Sequence, residues 1–211
     1  MSYGWDSNMQ FTDLNNDGLD DTVYKELDLD GDNLDDDVYG QTDLDGDGYV
    51  DGDFVGYDND DDGYIDEIYG EVDSDGDGYI DTVVGGIDTD GDGIIDDIFG
   101  EIDADGDGYS DVDFEFVDND YDGQFDDVYM AGDTDGDGYI DTDIYGTDSD
   151  DDGYIDDVYV VSDENSDGYA DTFYHGEDTD EDGYIDSEDV NVDYDGDGYV
   201  DDSFNDDGSY I

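Results

Sequence analysis

The chain has 211 residues, with one Lys or Arg against 75 Asp and Glu, a formal net charge of −74, and no Cys. That charge excludes nucleic acid and anionic membranes as direct partners, the lack of Cys excludes a disulfide brace, and no apolar run is long enough for membrane insertion. Carboxylates a few Å apart repel by roughly 1 kcal/mol per pair even at water's dielectric, so the bare chain is expected to stay expanded until counter-ions are supplied.

Composition alone describes a disordered acidic polymer. The aromatic residues argue otherwise, because 21 Tyr, 8 Phe and one Trp recur at fixed places. Residues 1–12 precede the regular pattern and are expected to form an N-terminal cap or extension, with Trp5, Met9 and Phe11 covering the first coil. The opening Met1-Ser2-Tyr3-Gly4-Trp5-Asp6 has neither the basic region nor the apolar core of a secretion signal, so export is expected to use a removed signal or an unconventional route.

From Asp13 the sequence repeats every 15 residues with no insertion or deletion, and thirteen repeats fill residues 13–207. Position 1 is Asp13, Asp28, Asp43, Asp58, Asp73, Asp88, Asp103, Asp118, Asp133, Asp148, Asp163, Asp178 and Asp193. Position 3 is Asn15, Asp30, Asp45, Asp60, Asp75, Asp90, Asp105, Asp120, Asp135, Asp150, Asn165, Asp180 and Asp195. Position 5 is Asp17, Asp32, Asp47, Asp62, Asp77, Asp92, Asp107, Asp122, Asp137, Asp152, Asp167, Asp182 and Asp197. Position 9 is Asp21, Asp36, Asp51, Asp66, Asp81, Asp96, Asp111, Asp126, Asp141, Asp156, Asp171, Asp186 and Asp201. Three unbroken Asp columns cannot come from composition alone.

Position 6 is Gly in every repeat except at Asn33, the next residue most tolerant of positive φ, so a left-handed turn is expected there. Position 7 is mostly Tyr, position 8 mostly Ile or Val, and position 12 mostly aromatic, which places a short strand after each acidic loop. A helix has no room, since no more than about six residues separate one loop from the next. The Tyr stripes at positions 7 and 12 are expected to fill a thin core.

Position 10 alternates: acids fall mainly in even repeats (Asp37, Glu67, Asp97, Asp127, Asp157), and small or neutral residues in odd ones (Thr22, Gly52, Thr82, Thr142, Thr172). The expected fold is therefore all-β, a calcium-stabilised repeat β-solenoid of 15-residue units with two units per 30-residue coil, able to form filaments. A meander of antiparallel strands with loops at alternate ends would produce the same alternation and is the second arrangement. Residues 208–211 are expected to form a C-terminal tail, within a stretch, Asp206 to Ile211, that looks like a truncated loop.

Asp at positions 1, 3 and 5, Gly at 6 and Asp at 9 is what a hard, oxygen-seeking cation needs. Alternate residues project carboxylates to one side of a tight loop, and calcium tolerates six to eight oxygens where zinc and copper want His or Cys. Asp133-Thr134-Asp135-Gly136-Asp137-Gly138-Tyr139-Ile140-Asp141 resembles the first nine positions of an EF-hand-type calcium loop, and more closely the helix-free arrays of thrombospondin type 3 repeats. The resemblance covers residues 13–201 and implies calcium ligation by positions 1, 3, 5 and 9 of each repeat. Two departures stand out. Position 12 is aromatic where an EF-hand places a bidentate Glu, so each ion is expected to borrow a carboxylate from a neighbouring repeat, and the disulfides of the thrombospondin arrays are absent.

One ion per repeat would offset about 26 charges and two about 52, so about one to two calcium ions per repeat are expected. Ligands that assemble only on folding make binding energy into folding energy, so the ion-free chain should be largely unfolded. Catalysis is not expected: acid pairs such as Asp36-Asp37 and Asp156-Asp157 recur along the array without one distinctive constellation. His175 and Lys25 share position 13 and are expected to face solvent and be inert.

These readings converge on a calcium-binding structural protein, an extracellular or cell-surface filament or matrix subunit or an adhesin segment, which self-associates end to end and rigidifies on binding calcium. The alternative is a high-capacity calcium buffer or mineral-nucleating protein. A carbohydrate- or partner-binding module would need repeats unlike the rest, and Phe114-Glu115-Phe116 and Tyr174-His175 are too slight for that.

Overall fold

The computed structural model describes residues 9–12, 20–29, 31–180, 182–195 and 197–206, with Asp206 described through its backbone only. Trp5, Asp13, Asn15, Asp17, Asp30 and the tail 208–211 lie outside the described residues. The chain divides into two compact units, Met1–Ile95 and Asp96–Ile211. All regular structure among the described residues is β.

The first unit holds β1 (Gln10–Thr12), β2 (Thr22–Leu27), β3 (Asp37–Thr42), β4 (Gly52–Tyr57), β5 (Glu67–Val72) and β6 (Thr82–Ile87), each paired antiparallel with the next. The second holds β7 (Asp97–Ile102), β8 (Val112–Val117), β9 (Asp127–Gly132), β10 (Thr142–Thr147), β11 (Asp157–Ser162), β12 (Thr172–Glu177), β13 (Ser187–Val192) and β14 (Asp202–Asp206), paired in the same way. From β2 onward, each strand starts at position 10 of its repeat, and positions 1–9 form the loop between strands.

The all-β repeat fold and its 30-residue structural period are present. Strand pairing selects the antiparallel meander over parallel stacked coils, and the reason lies in the loop. Nine residues return the chain directly beside itself, with the position 9 amide bonded to the carbonyl that ends the preceding strand, as in Asp51 N to Thr42 O (2.8 Å) and Asp156 N to Thr147 O (2.8 Å). Parallel neighbours need a crossover of a dozen or more residues.

Register explains the odd–even alternation. Position 12 of one strand lies opposite position 13 of the next, as in Tyr39 with Val55 and Tyr129 with Tyr145. One face therefore carries positions 10, 12 and 14 of odd repeats with 11, 13 and 15 of even repeats. It is apolar: Val38 and Ile65 pack on Gly56, Ile155 packs on Gly146, and Phe116 contacts both Phe114 (5.7 Å between centroids) and Phe125 (5.8 Å). Glycine at position 14 makes room for the Ile at position 8 of the following even loop. The opposite face holds the even-repeat acids and a row of phenols. The Tyr129 ring lies tilted against Tyr145 (4.9 Å between centroids), and its hydroxyl donates to Asp143 (2.9 Å), a bond that, with burial, pushes its phenol up to about 12.

Position 7 corrects an expectation. Because the strand starts at position 10, the position 7 Tyr residues sit in the loops, 54% exposed at Tyr64 and 77% at Tyr199, and fill no core. They lie along the loop edges instead. A Cβ on Gly93 would meet the Tyr64 ring at 2.5 Å, and one on Gly183 the Tyr154 ring at 3.0 Å, so each ring covers the position 6 glycine of the next loop on its edge. His175 and Lys25, expected to face solvent, are both half-buried in strands. Met9, just before β1, and Phe11, within it, are exposed.

Among the described residues the only fully buried hydrophobic side chain is Ala131 (4%), whereas Asp37 (0%), Asp58 (2%), Asp96 (2%) and Asp118 (2%) are buried. The most buried side chains are therefore largely Asp, while the position 7 tyrosines lie at the surface. Gly56→Val would drive its side chain into Val38 and Ile65, whose nearest atoms stand 2.9 and 3.0 Å from the new Cβ. It is expected to cost about 1–3 kcal/mol of stability in urea unfolding of the cation-loaded chain, and an unchanged midpoint would contradict the packing described.

Candidate metal centre

Each loop described at both positions 4 and 6 turns on two left-handed residues. Position 6 is one, as the sequence implies, with φ of +81° at Asn33 and +95° at Gly78. Position 4 is the second, and it stays left-handed even where glycine is replaced, at Asp61 (+63°), Tyr121 (+64°), Asp151 (+60°) and Ser166 (+56°). Alternating hand points successive amides into one concavity, a nest suited to an anion. The chain supplies that anion itself. Asp73 accepts from the amides of Gly76 (2.8 Å) and Asp77 (3.1 Å) on Oδ1 and of Gly78 (2.8 Å) on Oδ2.

The other carboxylates of this loop are fixed in the same way. Asp75 accepts from Asp77 N (3.0 Å), Asp77 from Tyr79 N (2.9 Å), and Asp81 from Ser74 N (2.7 Å), Ser74 Oγ (2.9 Å) and Asp75 N (3.2 Å). As a result, one ligand oxygen from each of Asp73, Asp75, Asp77 and Asp81 lies within 4.8 Å of the others. The Asp43, Asp45, Asp47 and Asp58, Asp60, Asp62 sets converge likewise. These clusters can hold metal ions, and Asp43 Oδ1 fits one directly, being a buried acceptor with no hydrogen-bond partner.

The pattern continues along the chain. Asp88, Asp103, Asp118, Asp133, Asp148, Asp163, Asp178 and Asp193 each accept the position 6 amide through Oδ2 at 2.7–2.8 Å. Asp51, Asp66, Asp111, Asp126, Asp141, Asp156, Asp171, Asp186 and Asp201 each take bonds from position 2 or 3 of their own loop.

Repeat 2 departs from it. There the position 2 amide, Leu29 N, donates to Asp37 (2.6 Å) rather than to Asp36, and Asp36 joins Asp32 and Asp61 in a cluster that spans two loops of one edge. A backbone bond ties many such neighbours together, from a position 1 amide to the position 9 carbonyl two repeats back, as in Asp73 N to Asp51 O (2.6 Å) and Asp148 N to Asp126 O (2.7 Å), whereas Asp58 N donates to Asp37 Oδ1 (3.3 Å). Asp37 and the position 4 acids Asp61 and Asp151 escape a reading of the Asp columns. The signal for position 4 was the restriction of its acids to even repeats.

Electrostatics separates the ligand positions. Burial first, then the charge of the position 5 Asp, holds Asp60, Asp120, Asp135 and Asp150 above the usual carboxylate range; the position 9 and 5 charges lead at Asp180, and those at positions 5 and 9 at Asp195. Asp61 is raised chiefly by its hydrogen bond with Asp32, and Asp151 by burial and then the charges of Asp120 and Asp126 in the preceding loop of its edge. Asp81 is lowered by the Ser74 hydroxyl and backbone amides. At Asp133 burial pulls upward but four backbone amides outweigh it, and at Asp141 the Thr134 and Thr142 hydroxyls do the same. At these six position 3 carboxylates, burial and the charge of neighbouring acids disfavour the ionised form, a penalty that a cation would offset. The donor set is all oxygen and anionic, suited to a hard divalent ion and not to redox chemistry.

Raised position 3 groups contribute stability below their unfolded value and withdraw it as pH rises through the folded one. Lowered groups such as Asp81 and Asp133 contribute above the unfolded value and lose it as pH falls through the folded one. In chelator, β structure is therefore expected to increase as pH falls from neutrality toward about 4 and to decline below that. With divalent cation the upper limb should reverse, because protons displace the ion. Circular dichroism across pH checks both limbs, and steady loss of β signal on acidification in chelator would refute the assignment of strain to position 3. Comparison with protein-family models, with curated proteins and with solved structures finds no match to this chain.

Proposed function

We propose that the chain is a calcium-binding structural repeat protein, an extracellular filament or matrix subunit or adhesin segment that folds and rigidifies when calcium fills its loops. The observation that carries this reading is the combination of convergent carboxylates, such as Asp73, Asp75, Asp77 and Asp81, with sheets whose only fully buried hydrophobic side chain among the described residues is Ala131. A single layer of strands without a core has little hydrophobic stabilisation to offset chain entropy. Cation binding at the loops is the remaining source large enough. Calcium is the fitting ion because the ligands are oxygens held in a flexible loop, and sites of this kind fill at extracellular concentrations of about 0.1–1 mM.

Repetition supports a mechanical role over a catalytic one. The same loop recurs on both edges, and no single acid pair is set apart for proton transfer. The outer strands of a sheet are templates for the addition of further copies end to end, which is the proposed route to filaments. The exposure of position 3 and 5 carboxylates, Asp75 and Asp77 among them, favours the second reading, a calcium buffer or mineral-nucleating surface whose ions exchange freely.

Calcium titration from chelator to about 10 mM, followed by circular dichroism and sedimentation, separates the two. Cooperative, chelator-reversible gain of β structure with growth in sedimentation is expected. Calcium uptake by a chain that stays unfolded and monomeric would leave the buffer reading in its place. Within the folded chain, Asp77→Asn is expected to weaken one site by about tenfold or more, seen as one weakened ion in equilibrium dialysis.

A further inference from the structure

Outside the loops, the polar face of the second unit carries one cluster of different chemistry. Asp157 on β11 and Glu177 on β12 are direct cross-strand partners, and Tyr159 and His175 form the next pair on the same face. Two acids placed opposite each other repel, so the pair calls for a positive partner. His175, the single His of the chain, reaches diagonally between them, with Nε2 3.3 Å from Asp157 Oδ1 and 3.7 Å from Glu177 Oε1. Its ring lies flat against Tyr159, with centroids 4.2 Å apart and planes 6° apart, which fixes the direction of the nitrogen. The His175 side chain is 19% exposed, so the ring is largely shielded while the acids stay reachable from solvent.

The three ligand atoms lie within 4.8 Å of one another. An ion bound tetrahedrally at about 2.0–2.1 Å sets its ligands roughly 3.3–3.4 Å apart, close to the two separations from His175 Nε2. Imidazole is foreign to calcium coordination and well suited to zinc-class ions, and one nitrogen with two carboxylate oxygens is a donor set found at zinc centres. We infer that Asp157, His175 and Glu177 form a site for a divalent transition-metal ion of the zinc class, separate from the aspartate loops, with a fourth position left to water. No other repeat can build it, because no other repeat has a His.

The test uses the full chain in millimolar calcium, which engages the loops, and follows the single His Cε1–H resonance by NMR as zinc ions are added. The expected result is a response that saturates at about one equivalent. Asp157→Asn and Glu177→Gln should each weaken it by about tenfold or more with the β dichroism unchanged, and His175→Gln should remove this equivalent of zinc uptake. A histidine resonance unmoved at one equivalent overturns the site. So does a response with the same midpoint in both acid variants, which would mean that His175 holds zinc alone. A chain that takes up no calcium yet keeps the histidine response would sink the calcium reading and leave this one standing; loss of the response alone would do the opposite.

Discussion

Everything in this molecule depends on gathering like charges at defined points. In loops such as those of Asp43, Asp58 and Asp73, backbone amides hold carboxylates around one centre, so the repulsion that should unfold an acidic chain is focused rather than dispersed. The nest formed by left-handed positions 4 and 6 captures the position 1 carboxylate, and that local anion–amide contact is available before any long-range contact forms. What remains uncompensated falls on position 3, where Asp60, Asp120, Asp135 and Asp150 are all held above their usual range. A cation is therefore matched to the geometry, and the geometry is set by short loops that fold on themselves.

The sheets follow from the loops. A nine-residue return fixes the next strand beside the last, and a constant repeat length fixes the same register at every pairing, so small local errors do not accumulate. Beyond the strand ends, bonds such as Asp88 N to Asp66 O (2.8 Å) and Asp163 N to Asp141 O (2.8 Å) carry the pairing into the loops of one edge. Tyrosines over glycines give those edges a second set of contacts, as at Tyr154 with Gly183 and Tyr169 with Gly198. Rigidity of this kind sits at the rims, where the acids are, and the sheet faces are comparatively thin.

The two faces differ because antiparallel order sends odd and even repeats to opposite sides. One face is aliphatic and aromatic, with glycines under the position 8 side chains. The other is a field of phenols and acids, and a single change in one repeat is enough to alter its chemistry. His175 shows this. Placed at the same position as Lys25, Val55 and Tyr145, it meets a stacked ring and the Asp157 carboxylate presented by β11 together with Glu177 of its own strand.

The period, the loop boundaries, the left-handed turn at position 6 and the acidic columns that supply the clustered carboxylates were all legible in the sequence, because each is local and recurs from repeat to repeat. Asp73, Asp75, Asp77 and Asp81 face one centre through bonds spanning no more than seven residues, such as Ser74 N to Asp81 (2.7 Å). Whatever depended on neighbouring strands was not legible. Antiparallel over parallel order, the exposure of the position 7 tyrosines, the substitution of Asp37 for Asp36 in repeat 2 and the contact of Asp61 with the preceding loop of its edge all required knowing which repeats become neighbours. An identical repeat carries its own turn but not its partner's direction: that is settled by the reach of a nine-residue loop, which can close a hairpin and cannot cross a sheet.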